Sequence, residues 1–406
     1  MAPAPSPTAY CTILATNYLP KALALAASLK RHEDLPLTVL LIDCETDAEL
    51  PTLPDHPDLT RVHLVSTDFL GLGRAEIHRL VASYHLVEYA TAVKPVLLER
   101  LLETHEQAAY LDPDTYVASP MAELPLDLAA SPGGILLTPH FLRPPTPDAF
   151  VSEGHLLCVG IYNLGFIAVD RRARPFLTWW WSRLRGECLV DVLSGLFVDQ
   201  KWLDVGSVYF DATAWKHPGY NVSIVNLHER PLRTDDAGEL VIGEKGDPLR
   251  LFHFHAFDPD RPTELSTRFA DTDGFRSGNR ALDDLCVAYA DEVTALRAAA
   301  PPAPPWRYAA DTRGHEISRQ LRRAYRVASL QEGARLPSPF EPAEADAFAT
   351  WRRRARKTVA RETAGDVAKA TRAAIPEPVW WFKQHFPGLA GRTRESVVRA
   401  EGLWGG

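Results

Sequence analysis

The sequence has little of several features that define whole classes of protein. It contains only five cysteines and none of them forms a CxxC pair, which argues against a disulfide framework or a structural zinc site. No apolar run approaches the roughly 18 residues that span a bilayer. Residues 1–10 show neither the basic nor the apolar region of a secretory signal. These absences predict a cytoplasmic protein with free thiols.

Charge is distributed unevenly along the chain. Residues 1–290 carry 24 basic and 39 acidic side chains, a net charge of −15, whereas residues 291–406 carry 20 and 13, a net charge of +7. The acidic part argues against a broad nucleic-acid-binding surface, and we expect no nucleic-acid partner. The basic part fits RNA, an anionic membrane or the acidic part of the same chain.

Apolar runs that suit strands alternate with segments that suit helices. Residues 8–43 have the pattern of a β-α-β unit, in which Pro20 fits the first turn of the helix and LTVLLID fits a strand buried on both faces. Residues 76–103 are helical in pattern. Further strands are predicted at 62–66, 134–139, 162–169, 222–226 and 249–257, and 108–117 has the pattern of a strand that runs into a turn. The alternation predicts an α/β fold with a mostly parallel, Rossmann-like sheet.

The composition changes after about residue 290. The chain is predicted to divide into an α/β domain at 8–290, a Pro/Ala linker at 298–306 and a basic helical C-terminal extension at 307–406. Within the extension, the helical pattern covers 314–333 and 343–373.

Two carboxylates two positions apart are the sharpest candidate for chemistry. Asp112-Pro113-Asp114 follows the apolar run AAYL at the carboxyl end of a predicted strand, where open α/β sheets bind ligands. Hard oxygen ligands at that place suit Mg²⁺ or Mn²⁺ together with a diphosphate. The competing interpretation is a solvated Asp-Pro-Asp turn, since both residue types favour turns.

Two further segments place polar side chains in apolar surroundings. Asn163 and Gly165 begin an apolar strand, where they would let a ligand approach the backbone closely or would mark a bulge. Asp199 and Gln200 need partners if they are buried, and sugar hydroxyl groups could supply them. The alternative is that this pair caps a helix on the surface.

Two histidines lie two positions apart in the predicted late strand. His253 and His255 would share one face of that strand. A neutral imidazole could complete a divalent-metal site begun by Asp112 and Asp114. Alternatively, both histidines are half-buried structural residues. The spacing leaves open which of the two would be the ligand.

Taken in order, these motifs resemble those of the metal-dependent GT-A glycosyltransferases, particularly the retaining family-eight group. The resemblance covers about residues 8–262. It rests on TILATNYLPKALALAASL, TAVKPVLLERL, YLDPDTYV, YNLGFIAV, FVDQKWLD and FHFHAFDP. It implies a GT-A nucleotide-diphospho-sugar transferase fold. It also implies a hexosyltransferase-like enzyme that moves a sugar with retention from a nucleotide-diphosphate sugar, in glycan or glycolipid assembly.

The resemblance also implies roles for individual residues. The metal ion, Mn²⁺ or Mg²⁺, would be held by Asp112, Asp114 and His253. The donor sugar and its reacting carbon would face Asp199, Gln200 and Asn163. The remaining contacts to the donor would come from Thr12, Ala15, Thr16, Asn17, Tyr18, Lys94, Asp112 and Gly165.

The chain departs from that group just after the late strand. Ala256 stands where the group usually has a glycine, and no lysine follows nearby to touch the diphosphate. A catalytically silent GT-A module that binds nucleotide sugars is the alternative function, and the presence of Asp112, Asp114 and His253 argues against it. A nucleotidyltransferase is disfavoured, because TILATNYLPKAL lacks a glycine-rich phosphate loop.

The acceptor could be a glycan, a lipid-linked sugar or a protein. Residues 351–373 hold eight basic and two acidic side chains, and Trp380, Trp381 and Phe382 follow them. Such a segment suits a peripheral contact with the inner face of a membrane, where a lipid-linked acceptor would lie. The alternative is that these aromatic side chains pack against the α/β domain.

Overall fold

The computed structural model describes residues 8–146, 149, 151–269, 278–331 and 335–374. Within these residues the strands are β1 (Thr8–Leu14), β2 (Leu37–Leu41), β3 (Val62–Val65), β4 (Gln107–Leu111), β5 (Thr115–Val117), β6 (Ile135–Pro139), β7 (Tyr162–Asp170), β8 (Val190–Asp191), β9 (Leu196–Phe197), β10 (Thr213–Ala214), β11 (Leu232–Thr234), β12 (Leu240–Ile242), β13 (Asp247–Pro248) and β14 (Leu251–His253). The helices are α1 (Leu19–Glu33), α2 (Arg74–Ser83), α3 (Leu86–Ala92), α4 (Lys94–Leu101), α5 (Leu124–Ala130), α6 (Glu153–Val159), α7 (Arg174–Glu187), α8 (Leu203–Tyr209), α9 (Arg280–Ala299), α10 (Arg319–Ser329), α11 (Ala345–Arg354) and α12 (Arg356–Ala374). None of these helices combines the length and the apolar character that a membrane crossing needs.

The centre of the molecule is a seven-stranded sheet with the strand order β10-β6-β7-β4-β1-β2-β3. Four of the six neighbouring pairs are parallel, and β7 runs antiparallel to both of its neighbours. The predicted α/β fold with a mostly parallel sheet is therefore confirmed. Buried apolar side chains cover both faces of the sheet, as expected where helices pack on either side.

The first β-α-β unit shows why the apolar pattern identified the correct elements. All seven residues of β1 are buried, and β1 pairs in parallel with β2, with Thr12 opposite Val39. Pro20 lies in the first turn of α1, where no backbone donor is needed. The residue after α1, Asp34, is in the left-handed conformation with φ of 50° and donates its backbone N–H to the Lys30 carbonyl.

The structure corrects the sequence analysis at two predicted strands. In the segment 222–226, Val222 forms only an isolated parallel bridge to Phe252, and residues 224–226 form a turn instead of a strand. The Asn226 side chain accepts a hydrogen bond from the Ser223 backbone (2.9 Å), and this local bond competes with strand pairing. The strand predicted at 249–257 is shorter and covers Leu251–His253. The chain turns directly after it, where the His255 N–H donates to the His253 carbonyl (2.8 Å), and Ala256 has φ of 55°, a left-handed conformation that a regular strand does not contain.

The C-terminal extension packs against helix α2 of the α/β domain. Its helices α10, α11 and α12 coincide with the segments whose pattern predicted them. A small apolar core joins Ala82 of α2 to four residues of the extension, Ile317, Leu321, Tyr325 and Phe348. Helix α9 runs to Ala299, so the first two residues of the predicted linker are helical.

Glu45, which follows β2, joins the α/β domain to the extension through its carboxylate. The carboxylate contacts His78 Nε2 (3.1 Å) and accepts a hydrogen bond from the Tyr308 hydroxyl (2.9 Å). The hydrogen bond with His78, supported by Tyr308 and the charge of Arg307, lowers the pKa of Glu45 to about 2, although burial acts in the opposite direction. The contact with the extension therefore depends on an ionised carboxylate.

We expect acid to weaken the protein in part through Glu45. The pKa of Glu45 is about 2 in the folded protein against an ordinary 4.5, so its contribution to stability is complete above about pH 4.5 and disappears as the pH falls through about 2. Glu45→Gln should therefore lower the Tm at neutral pH. It should also flatten the fall in Tm between about pH 6 and pH 3 in differential scanning calorimetry.

The exposed Glu244 offers the matched control for this experiment. Glu244→Gln should follow the wild-type dependence of Tm on pH. Parallel curves for Glu45→Gln and the wild type would contradict the assignment.

Candidate functional site

Strand pairing brings the two predicted aspartates and one histidine together. Asp112 and Asp114 follow β4, and His253 ends β14, which pairs antiparallel with β5 and places His253 opposite Thr115. His253 Nε2 lies 3.3 Å from Asp114 Oδ1 and 3.7 Å from Asp112 Oδ2. One ligand atom from each of these residues lies within 4.8 Å of the others. We call these three residues the carboxylate–histidine cluster.

Asn221 fixes the orientation of the His253 ring. The Asn221 side-chain nitrogen donates to Thr138 Oγ1 (2.9 Å) and to the Asn163 carbonyl (2.9 Å), so its oxygen is free to accept the His253 Nδ1–H at 3.0 Å. This bond leaves Nε2 facing the two carboxylates. Burial lowers the pKa of His253, but Asp114 and Asp112 outweigh it and raise that pKa above its ordinary value.

The donor set of the cluster fits a divalent cation. Two carboxylates and one imidazole supply hard oxygen ligands and a nitrogen ligand, which suit Mn²⁺ or Mg²⁺. A histidine ligand whose second nitrogen is held by an amide oxygen is the arrangement that metal sites use to orient the ring. Burial raises the pKa of Asp114, but His253 outweighs it and brings the value to about 2, so this carboxylate is ionised at neutral pH.

The structure separates the two candidate histidines. His255 is not a member of the carboxylate–histidine cluster, and its Nε2 contacts Arg268 Nη1 at 2.8 Å. Burial lowers the pKa of His255 to about 4, so its ring is neutral at physiological pH. His253 is therefore the histidine that the fold places beside Asp112 and Asp114.

A second charged group, a buried ion pair, lies beside the cluster. Lys94 Nζ is 2.6 Å from Asp199 Oδ2, and both side chains are almost fully buried. The same ammonium donates to the Leu164 carbonyl (3.1 Å) and lies 4.1 Å from the centre of the Tyr110 ring. The Tyr110 hydroxyl donates to Asp112 Oδ1 (2.7 Å) and so connects the ion pair to the cluster.

In the structure Lys94 pairs with Asp199, whereas the sequence predicted a contact with the donor. Burial raises the pKa of Asp199 above its ordinary value, and Lys94 opposes that rise. Neutralising a buried carboxylate is thus the role of Lys94 that the geometry shows. Its contact with a donor stays a prediction.

The side-chain amides of Asn163 and Gln200 form hydrogen bonds with backbone groups at and before the start of β7. Asn163 Oδ1 accepts a hydrogen bond from the Gly165 N–H (3.0 Å). Gln200 accepts from the Leu164 N–H (3.3 Å) and donates to the Val159 carbonyl (3.0 Å). Both amides are therefore held rigidly beside the Lys94–Asp199 pair.

The backbone next to Asp199 is strained. Val198 has φ of 40°, a left-handed conformation that is a genuine outlier for a β-branched residue. Strain of this kind persists only where surrounding contacts hold it, and it concentrates at functional sites. The Asp199-Gln200 segment therefore has the backbone character of a functional position.

Gly165 allows a close approach, and the group that approaches it in the structure is the His253 imidazole. A Cβ atom at Gly165 would lie 2.4 Å from His253 Cε1 and 2.5 Å from its Nδ1. The ring cannot simply rotate away, because it is buried and bonded to Asn221. The glycine is thus required for the position of His253.

Gly165→Ala is expected to weaken Mn²⁺ binding by about 10–100-fold, the usual effect of disturbing the group that orients a metal ligand. The added methyl group would push the His253 ring out of line with the two aspartates. Isothermal titration with Mn²⁺ measures the change. Gly73→Ala is the control, since its Cβ would meet nothing within 4 Å, and equal Mn²⁺ affinity in Gly165→Ala and the wild type would contradict this role.

The predicted donor-binding residues in and after β1 include both buried and exposed side chains. Thr12 is fully buried in the middle of β1 and Ala15 is buried just after it. Thr16 donates its backbone N–H (3.0 Å) and its hydroxyl (2.9 Å) to the Asp43 carboxylate. The exposed part of the predicted donor-binding segment consists of Asn17 and Tyr18. Sequence analysis missed Asp43, although it follows the apolar run of β2 just as Asp112 follows that of β4.

A cavity of about 480 Å³ opens beside the cluster. Its lining includes Asn17, Tyr18, Lys21, Asp114 and Arg268. Lys21 Nζ donates to the Phe257 carbonyl (3.0 Å), and Arg268 contacts the neutral His255 ring. These two cations add positive charge to the cavity wall that Asp114 also lines. Sequence analysis missed both: Lys21 lies inside TILATNYLPKALALAASL and Arg268 lies beyond FHFHAFDP, and in neither case does the local pattern indicate that the side chain faces the cavity.

Comparisons with known proteins give distant similarities. No family model matches the chain. The uncharacterized protein YfnF of Bacillus subtilis (strain 168) is 28% identical over 263 residues, which are 62% of this chain and 82% of that protein. The galactosyltransferase LgtC in complex with donor and acceptor sugar analogues is 15% identical, with a TM-score of 0.36, and the match covers 68% of this chain and 95% of LgtC. Mouse xyloside xylosyltransferase 1 is 12% identical, with a TM-score of 0.34, and the match covers 52% of this chain and 84% of that chain.

Proposed function

We propose that the chain is a metal-dependent glycosyltransferase that takes a sugar from a nucleotide-diphosphate sugar. The observation that carries this proposal is the carboxylate–histidine cluster, whose Asp114 lines a cavity that Lys21 and Arg268 also line. A diphosphate is an anion, and Asp112 and Asp114 alone would repel it. A cation between them reverses the local sign of the charge, and the two basic side chains add further attraction.

Different residues at the cavity would contact different parts of the donor. Asp112, Asp114 and His253 would hold Mn²⁺ or Mg²⁺, which when bound supplies charge neutralisation at the leaving diphosphate. Lys21 and Arg268 would contact the diphosphate, in place of the downstream lysine that the sequence lacks. The nucleoside would lie against Asn17 and Tyr18, at the carboxyl end of β1 where open α/β sheets bind nucleotides.

The donor sugar would lie on the side of the buried ion pair. Asp199, Gln200 and Asn163 supply oxygen atoms there, and the transition state of glycosyl transfer carries positive charge at the reacting carbon. Fixed dipoles whose negative ends face the reacting carbon stabilise such charge, because they do not have to reorient during the reaction. Burial raises the pKa of Asp199, and the Lys94 ammonium 2.6 Å away opposes that rise and so favours the ionised carboxylate.

Differential scanning fluorimetry with a panel of nucleotide sugars and Mn²⁺ tests the proposal. A donor present at 100 times its Kd should stabilise the protein by about 2.7 kcal/mol. Binding followed by release of a nucleoside diphosphate supports the transferase. Binding without turnover, against a panel of acceptors, would favour the catalytically silent module. Release of pyrophosphate from a nucleoside triphosphate and a sugar 1-phosphate, supplied in a separate assay, would favour a nucleotidyltransferase. Binding of no nucleotide sugar would contradict the proposal.

We expect transfer with retention, so that an α-linked donor gives an α-linked product. In the resembling group an Asp-Gln pair lies near the reacting carbon, and Asp199-Gln200 has the same place in the order of motifs. Proton NMR of the fresh product reads the configuration from the anomeric coupling. A β-linked product from an α-linked donor such as UDP-glucose would contradict retention while leaving the transferase activity in place.

The acceptor and the cellular location also belong to the proposal. We expect a cytoplasmic enzyme acting on a glycan, a lipid-linked sugar or a protein. The membrane contact assigned to Trp380, Trp381 and Phe382 concerns residues outside the described part of the chain, and it stays a prediction.

A further inference from the structure

The loop that follows β2 carries four carboxylates. Asp47 accepts hydrogen bonds from Ser66, and the other three face two different parts of the molecule. Asp43 faces β1 and accepts two hydrogen bonds from Thr16, through the backbone N–H and the hydroxyl. Glu45 and Glu49 face the C-terminal extension. The Glu45 N–H donates to Glu49 Oε2 (2.7 Å) and so ties the two sides of the loop together. We call residues 43–49 the acidic loop.

Arg307 and Tyr308 of the extension hold this acidic loop. Arg307 NH1 donates to the Asp43 carbonyl (3.3 Å) and to Glu49 Oε2 (2.6 Å). The Tyr308 hydroxyl donates to Glu45 Oε1 (2.9 Å), and Tyr308 is 1% exposed. The backbone of Asp43 is therefore fixed from the side of the extension, while its carboxylate fixes Thr16.

A second segment of the extension reaches the same loop through His78. His78 Nε2 lies 3.1 Å from Glu45 Oε1, and His78 Nδ1 lies 3.0 Å from the Ser338 hydroxyl. The rings of Tyr308 and Phe340 pack edge-on against each other, at 4.8 Å between centroids. Two parts of the extension, about 30 residues apart, thus converge on one carboxylate.

The chain of contacts continues to the donor cavity. Thr16 is followed directly by Asn17 and Tyr18, which line the cavity beside Asp114. If the cavity wall is already held in the conformation that it has with ligand bound, less conformational entropy is lost on binding. We propose that Tyr308 is a positioning residue for donor binding, which holds the nucleoside end of the cavity through Glu45, Asp43 and Thr16. This inference rests on the proposed function, and it makes the extension part of the donor site.

Tyr308→Phe removes one hydroxyl group and keeps the ring packing. The full chain would be titrated calorimetrically with UDP, GDP and ADP, each with Mn²⁺, and the tightest of the three would be used for the variants. We expect the Kd for that nucleotide to rise about three- to tenfold, the size of change that a single contact in a connected network produces. Ser338→Ala should shift the Kd in the same direction through His78.

Tyr325→Phe is the matched control, because it removes a hydroxyl group from the same extension. The Tyr325 hydroxyl donates to the Pro337 carbonyl (3.3 Å) and stays within the extension. It should leave the Kd unchanged even if it lowers the Tm. The affinity for Mn²⁺ without nucleotide should be the same in all variants, and the KM for the nucleotide sugar should rise in Tyr308→Phe while kcat stays constant.

Three results would overturn the inference. The first is a nucleotide Kd in Tyr308→Phe and Ser338→Ala equal to that of the wild type. The second is an equal rise in Tyr325→Phe, which would indicate general destabilisation. The third is a wild-type protein that binds no nucleotide with Mn²⁺, which would also remove the proposed function and so differs from the first two.

Discussion

Asp114→Asn is expected to lower the rate of sugar transfer by roughly a thousandfold, since charge stabilisation by a bound metal contributes several kcal/mol. The change replaces a charged ligand by a neutral amide in the group where His253 Nε2 lies 3.3 Å away. The residue is short and partly buried, so the amide fits the same space and the fold should be kept. Initial rates with Mn²⁺ measure the rate of transfer, and titration with Mn²⁺ measures the loss of metal binding. Circular dichroism shows whether the fold is kept.

Asp258→Asn is the control for this variant. Asp258 lines the same cavity, but its carboxylate pairs with Arg261 (3.0 Å) and is not part of the cluster. It should keep nearly full activity. In the wild type, EDTA should abolish transfer, and Mn²⁺ or Mg²⁺ should restore it. Full activity in excess EDTA would contradict the metal site.

Asp199→Asn is expected to destabilise the protein by about 3–5 kcal/mol, the usual cost of removing one partner of a buried ion pair. Lys94 is 1% exposed and its ammonium would be left without the carboxylate 2.6 Å away. Urea unfolding followed by tryptophan fluorescence measures the change. In the folded fraction, turnover should fall more than donor affinity, because contacts of Asp199 gain importance as positive charge develops in the transition state.

The double variant Lys94→Met with Asp199→Asn separates the ion pair from other effects. Its loss of stability should be smaller than the sum of the two single losses, because no unpaired charge stays buried. Glu103→Gln supplies the control. Glu103 pairs with Arg100 at 2.7 Å on the surface, and breaking such a pair costs less than about 1 kcal/mol. Additive losses for Lys94 and Asp199 would contradict the coupling.

The sequence by itself determined the sheet and the place of the acidic motif. Strands that are buried on both faces are mostly apolar. The carboxyl ends of the strands in LTVLLID and AAYL can therefore be recognised from the sequence, where the apolar run stops. A polar residue that directly follows such a run lies at the carboxyl edge of the sheet, as Asp112 and Asp43 do. Gly165 also stood out, because a glycine inside a strand needs a close neighbour to explain it.

The tertiary structure alone decided which side chains meet. His253 and His255 are equivalent in spacing, and only the pairing of β14 with β5 and the bond to Asn221 place His253 beside the aspartates. The partners of Lys94 and Tyr308 are about 105 and 263 residues away in the chain. Local pattern reports burial and backbone preference, whereas these contacts depend on how distant elements pack and on where each side chain points, which no local pattern encodes.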